Sequence, residues 1–100
     1  MDTIIISSRN GSKNYQVLLG TGLPSRPQEF RVVARSAVMA LDIVGDYCEK
    51  NGLRNLCATH QELAPLCAEG QTVDEYAEMQ GLTKCGINGV YVVVSQINEI

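Results

Sequence analysis

The sequence predicts an α+β fold: a two-layer, four-stranded and mainly antiparallel sheet in the order β-β-β-α-(short α-α)-β, with one long helix packed on one face. Three observations lead there. Within residues 29–52 the apolar period changes. Phe30, Val32 and Ala34 alternate with Arg31, Val33 and Arg35, the two-residue repeat of a half-buried strand. After Ser36 the apolar residues recur at Ala37, Leu41, Val44 and Cys48, with Ala40 and Tyr47 beside them, the stripe of a helix. Residues 89–97, Gly-Val-Tyr-Val-Val-Val-Ser-Gln-Ile, are too β-branched for a helix. Strand-like segments precede helix-like ones, which separates α+β from an alternating α/β order.

Each element has its own signal. Thr3–Ser8 reads as a first strand and Asn14–Leu19 as a second, joined across Asn10-Gly11, a pair that tolerates positive φ and predicts a hairpin. Two glycines and two prolines make residues 20–27 a loop. Strand 29–35 follows. Ser36 is placed to cap a helix over about 37–51, which Lys50 and Gly52 close. Thr59-x-x-Glu62 and Thr72-x-x-Glu75 have the spacing of capping boxes. The first opens a short helix within 59–69 that Pro65 interrupts; the second opens Val73 to Gln80, ending at Gly81.

One hundred residues suit a single α+β domain over 1–100, which buries roughly 60–65% of its unfolded surface and leaves little room for an enclosed catalytic cavity. No apolar run approaches the ~20 residues of a membrane span. The N-terminal Met-Asp-Thr-Ile-Ile-Ile lacks the features of a signal peptide, so the expected location is cytoplasmic. Cys48, Cys57, Cys67 and Cys85 are then expected as free thiols. Charge is unevenly spread. Residues 1–41 hold five basic and two acidic side chains, net +3; residues 42–100 hold three basic and nine acidic, net −6. Such a dipole can steer a charged partner.

No catalytic motif stands out. Cys57-x-x-His60 has half-zinc-site spacing, and Cys67 and Cys85 would complete a tetrahedral set. The spacing is irregular and a second tight pair is missing, so no metal and no cofactor is expected. A Cys–His dyad using His60 fails for want of any surrounding motif. Asp42, Asp46 and Glu49 form a polar edge of the long helix, and Asp74, Glu75 and Glu78 one of the shorter helix. Both read as solvated carboxylates, unsuited to acid catalysis without burial. Gly20-Thr21-Gly22 lacks the downstream Gly-Lys-Ser/Thr of a phosphate loop.

Residues 62–83 resemble the first two helices of bacterial helix-turn-helix units, through Gly70, Thr72, Val73, Glu75, Ala77, Gly81, Leu82 and Thr83. The resemblance implies DNA binding. A recognition helix should follow at once, but Lys84-Cys-Gly-Ile-Asn-Gly89 precedes a β run, and the segment is acidic where phosphate contacts call for Lys and Arg.

The expected function is that of a small non-enzymatic interaction module, an accessory protein of a bacterium or mobile element. It would bind a protein partner or a second copy of itself through its open sheet face or edge strands. With Phe30, Val32 and Ala34 turned to the helix, the opposite face would present Arg31, Val33, Arg35, Gln16, Leu18 and Tyr91. The alternative is a nucleic-acid-binding or regulatory protein using the basic face around Arg31 and Arg35, or the partial helix-turn-helix.

Overall fold

The computed structural model describes residues 3–7, 11–21 and 26–100. Seven strands and three helices follow in chain order: β1 (Ile4–Ile6), β2 (Lys13–Leu19), β3 (Gln28–Ala34), α1 (Ala37–Lys50), β4 (Cys57–Ala58), α2 (His60–Leu63), α3 (Val73–Met79), β5 (Thr83–Cys85), β6 (Val90–Val92) and β7 (Val94–Glu99). A single 3₁₀ turn, Ala64–Leu66, follows α2, with Pro65 near its start, as the irregular end expected there.

The expected α+β architecture is present, with a four-stranded and mostly antiparallel sheet ordered β1-β3-β2-β7. Its connectivity differs from expectation at the N-terminus. β1 does not form a hairpin with β2. It runs parallel to β3, Ile4 opposite Phe30, while β2 pairs antiparallel with β3 and β7. The Arg9-Asn10 part of the expected turn and residues 22–25 of the next loop lie outside the described residues. The pairing follows from burial: β3 places Phe30, Val32 and Ala34 in the core and so takes the sheet interior, with an apolar strand on either side.

The expected last strand divides at Val93. β6 belongs to a second, three-stranded sheet ordered β4-β6-β5, and β7 to the larger one. Gly20 N donates to the Val93 carbonyl at 2.8 Å at the crossing point. All three residues of β6 are buried, because both faces of its sheet are covered. Val90 and Val92 join the main core; Tyr91 joins a second apolar cluster with Leu63, Val73 and Ala77 under α2 and α3. A strand buried on both faces reads as a continuous apolar run, which is why residues 90–92 show no alternation.

Helix α1 begins where expected. Ser36 is extended (φ −153°, ψ 166°) and its hydroxyl accepts from Met39 N at 3.1 Å. The helix closes through Gly52, in the left-handed region at φ 62°, with Leu53 N donating to the Cys48 carbonyl. Its buried residues are Ala40, Val44, Gly45 and Cys48, so the stripe is rotated from the expected one and Ala37 stays exposed. The rotation lets α1 span both sheets. The Phe30 and Tyr47 rings meet edge-on, 6.1 Å between centroids. Both capping boxes form, at Thr59/Glu62 and Thr72/Glu75.

The acidic edge of α1 is not simply solvated. Asp42 Oδ1 accepts from Gly86 N at 2.9 Å, Asp46 Oδ1 from Ile87 N at 2.8 Å, and Glu49 Oε1 from Asn88 Nδ2 at 2.7 Å. Carboxylates at i, i+4 and i+7 share one helix face. Here that face fastens the turn between β5 and β6.

Candidate functional site

Helix α1 packs on one face of the four-stranded sheet, where Tyr15, Val17, Leu19, Phe30, Val32 and Ala34 are buried. The two-residue period sends the intervening residues to the opposite face, which no element among the described residues covers. Register places them in rows across the strands. Ile5 stands opposite Arg31, Arg31 opposite Gln16, and Gln16 opposite Asn98. A second row runs through Glu29, Leu18 and Gln96, and Val33 lies opposite Asn14.

Glu29 is the centre of this face. Thr3 Oγ1 donates to Glu29 Oε1 at 2.8 Å, Gln16 Nε2 to Oε2 at 2.8 Å, and Arg31 Nε to Oε2 at 3.0 Å. One carboxylate of β3 therefore ties together β2 and Thr3, the residue that leads into β1, by side chains. These bonds, from Gln16 first, then Thr3 and Arg31, hold its pKa down at about 2. A carboxylate so saturated stays ionised and is a poor proton acceptor. It is a structural clamp on this face.

Around the clamp the face is apolar on one side. Ile5 is 76% exposed and Ile100 is 54% exposed, and Val33 and Leu18 are partly buried. Ile100 N donates to the Asn14 carbonyl at 2.8 Å, which carries the last residue across to β2. Ile5, Asn14, Arg31, Val33 and Ile100 border an open depression of about 490 Å³.

The expected site residues are divided by the fold. Gln16, Leu18, Arg31 and Val33 do share the uncovered face. Arg35 is exposed and lies just past the end of β3. Tyr91 is not on this face. It is buried in the smaller sheet, where its hydroxyl donates to Asp74 Oδ1 at 2.6 Å, and burial and then Asp74 push its phenol up to about 12. The strand break at Val93 is what moves it, since Tyr91 lies on the far side of that break. Lys84 Nζ sits 6.0 Å from the Tyr91 ring and 3.9 Å from Asp74 Oδ1. Glu29 is the residue missed from sequence. Its signal was present, because the alternation that exposes Arg31 and Val33 also exposes residue 29.

The cysteine and histidine set is not assembled. Among the described residues no group of three or more His, Cys, Asp or Glu side chains is placed to hold a metal ion. Cys57 and Cys85 belong to the main core, Cys67 packs against the second cluster, and His60 is exposed on α2. Burial pushes the Cys48 and Cys85 thiols up to about 12, far from the thiolate a nucleophile or metal ligand needs. After α3 the chain enters β5 at Thr83, so residues 83–85 are strand where a recognition helix would stand.

No protein-family model, curated protein or solved structure matches the chain. Among the described residues no helix is long and apolar enough to cross a membrane.

Proposed function

We propose that the chain is a non-enzymatic interaction module of the reducing cytoplasm that binds a protein partner through the uncovered face of its four-stranded sheet. The observation that carries this reading is the pairing of a rigid polar centre with exposed aliphatic side chains on one face. Glu29 is held by side-chain bonds from Thr3, Gln16 and Arg31, beside the exposed Ile5 and Ile100. Interfaces combine apolar contact with fixed polar groups that set orientation, and prearranged groups lose less freedom on binding. Four free cysteines, three of them buried, suit a reducing compartment.

The nucleic-acid alternative has less behind it. Glu29 takes up the charge of Arg31, and Tyr15 and Tyr91 are both buried away from this face, so neither offers a ring for stacking bases.

A photo-crosslinker at position 5, compared with one at the exposed position 79, tests the proposal in host lysate. One discrete protein adduct from position 5, weakened by Val33→Asp and Arg31→Glu, is the expected result. Equal labelling from both positions would overturn it. Binding to RNA with a steep salt dependence, lost with Arg31→Ala and Arg35→Ala, would move the assignment to the alternative.

A further inference from the structure

The two sheets have four edge strands, and three of them are too short to template another chain. β1 and β5 have three paired residues each, β5 carries Lys84, and β4 has two. Short length and a lysine are the usual protection of an edge. β7 is different. Its six residues, Val-Ser-Gln-Ile-Asn-Glu, contain no Lys, Arg, Pro or Gly, and among the described residues only β2 pairs with it. Its one irregularity is a register shift where Leu18 faces Gln96 and Leu19 faces Val94, at the start of the strand.

The backbone of β7 can be accounted for group by group. Ile100 N bonds to the Asn14 carbonyl, so the groups of Ile100, and by alternation those of Asn98 and Gln96, face β2. Those of Ile97 and Glu99 face outward. They form the open template.

We infer that two copies of this chain associate antiparallel through β7, with Ile97 opposite Ile97 of the other copy, to make one eight-stranded sheet. This register is favoured by its side chains. Around a two-fold axis at Ile97, Gln96 falls opposite Asn98 of the second copy, amide to amide, and Glu99 falls opposite Ser95. The two carboxylates are kept apart. An axis at Glu99 would set them face to face, and one at Asn98 would set Glu99 against Ile97. Ile97 also packs against the core from its own sheet, so the central contact is held in place before association. The joined sheet would make the two uncovered faces continuous. The inference extends the proposed binding surface but rests on the strand edge alone.

Across such a pair Gln96 and Asn98 occupy a non-hydrogen-bonded position, where Cα atoms lie about 4.5 Å apart, close enough for a disulfide. Gln96→Cys mixed with Asn98→Cys should therefore crosslink under mild oxidation, far more than either variant alone or the unmodified chain. Sedimentation equilibrium of the full chain should show a concentration-dependent mass of twice 10.9 kDa. Glu99→Pro removes an outward N–H and none that β2 uses. It should reduce self-association at least tenfold, while its circular dichroism and unfolding midpoint verify that the fold is retained. A strict monomer at the highest attainable concentration would overturn the inference and leave the sheet-face reading intact. A dimer that survives Glu99→Pro without the mixed crosslink would overturn it too. Loss of the position-5 adduct with the dimer intact would instead remove the sheet-face reading alone.

Discussion

Gly45 of α1 rests against Cys85 of β5 with no side chain between them: a Cβ built at residue 45 would stand 2.6 Å from Cys85 Sγ and 3.2 Å from its carbonyl carbon. This contact sets how closely α1 approaches the smaller sheet, and through it the packing of Cys48, Val90 and Val92 in the shared core.

Gly45→Ala is expected to destabilise the protein. Overpacking costs about 1–3 kcal/mol, while replacing a helical Gly returns roughly 1 kcal/mol of propensity, so a net loss of ~1 kcal/mol is expected in urea unfolding. Cys85→Ala in the same chain should recover part of it, giving a double variant less destabilised than the sum of the two singles. Strict additivity would mean that the crowding is relieved elsewhere.

Tyr91→Phe should cost about 1 kcal/mol. The lost bond runs to a carboxylate, but Asp74 is largely exposed and water replaces the hydroxyl, so the effect falls below the roughly 1.5–3 kcal/mol of charged partners and near that of an ordinary hydrogen bond. The unfolding midpoint measures it. An unchanged midpoint would show that the Tyr91 ring alone holds α3 on β6.

The Glu29 clamp predicts a particular acid response. Its folded pKa of about 2 lies below the ordinary 4.5, so its contribution to stability is complete above pH 4.5 and disappears as pH falls toward 2. Carboxyl NMR should place its titration near 2, and Glu29→Gln should flatten the acid limb of the stability curve. The limb should not vanish, because Glu62 and Glu75, held down chiefly by bonds to Thr59 and Thr72, act in the same direction. A midpoint near 4.5 would mean that the three donors do not hold the carboxylate in solution.

Thiol labelling should separate the cysteines. Cys48, Cys57 and Cys85 are buried, and burial raises all three pKa values, whereas Cys67 is partly exposed. In native buffer a disulfide reagent should modify one thiol per chain promptly, and four after unfolding. Mass mapping should assign the fast site to Cys67. Rapid modification of Cys85 would indicate that β5 opens from α1.

Several elements were legible because their signals are local. Ser36 caps α1, both Thr-x-x-Glu boxes form, and Phe30, Val32 and Ala34 face inward, as a hydroxyl, a four-residue spacing and a period of two dictate. β4 and β5 were not legible, since two or three residues carry no period. The shared outward face of Gln16, Leu18, Arg31 and Val33 follows from alternation, while Tyr91 lies elsewhere because nothing in a run of β-branched residues marks where a strand leaves one sheet for another.

The amino-acid order alone determined the α+β class, the caps and the inward and outward faces of β2 and β3, because these depend on neighbours within a turn or two of chain. Tertiary structure decided which strands lie side by side, that Tyr91 is buried, that the α1 carboxylates seize a turn about forty residues on, and that Glu29 ties Gln16 of β2 to Thr3. Those outcomes depend on which distant surfaces pack together, and the energy that selects them is shared across the whole core and written in no single segment.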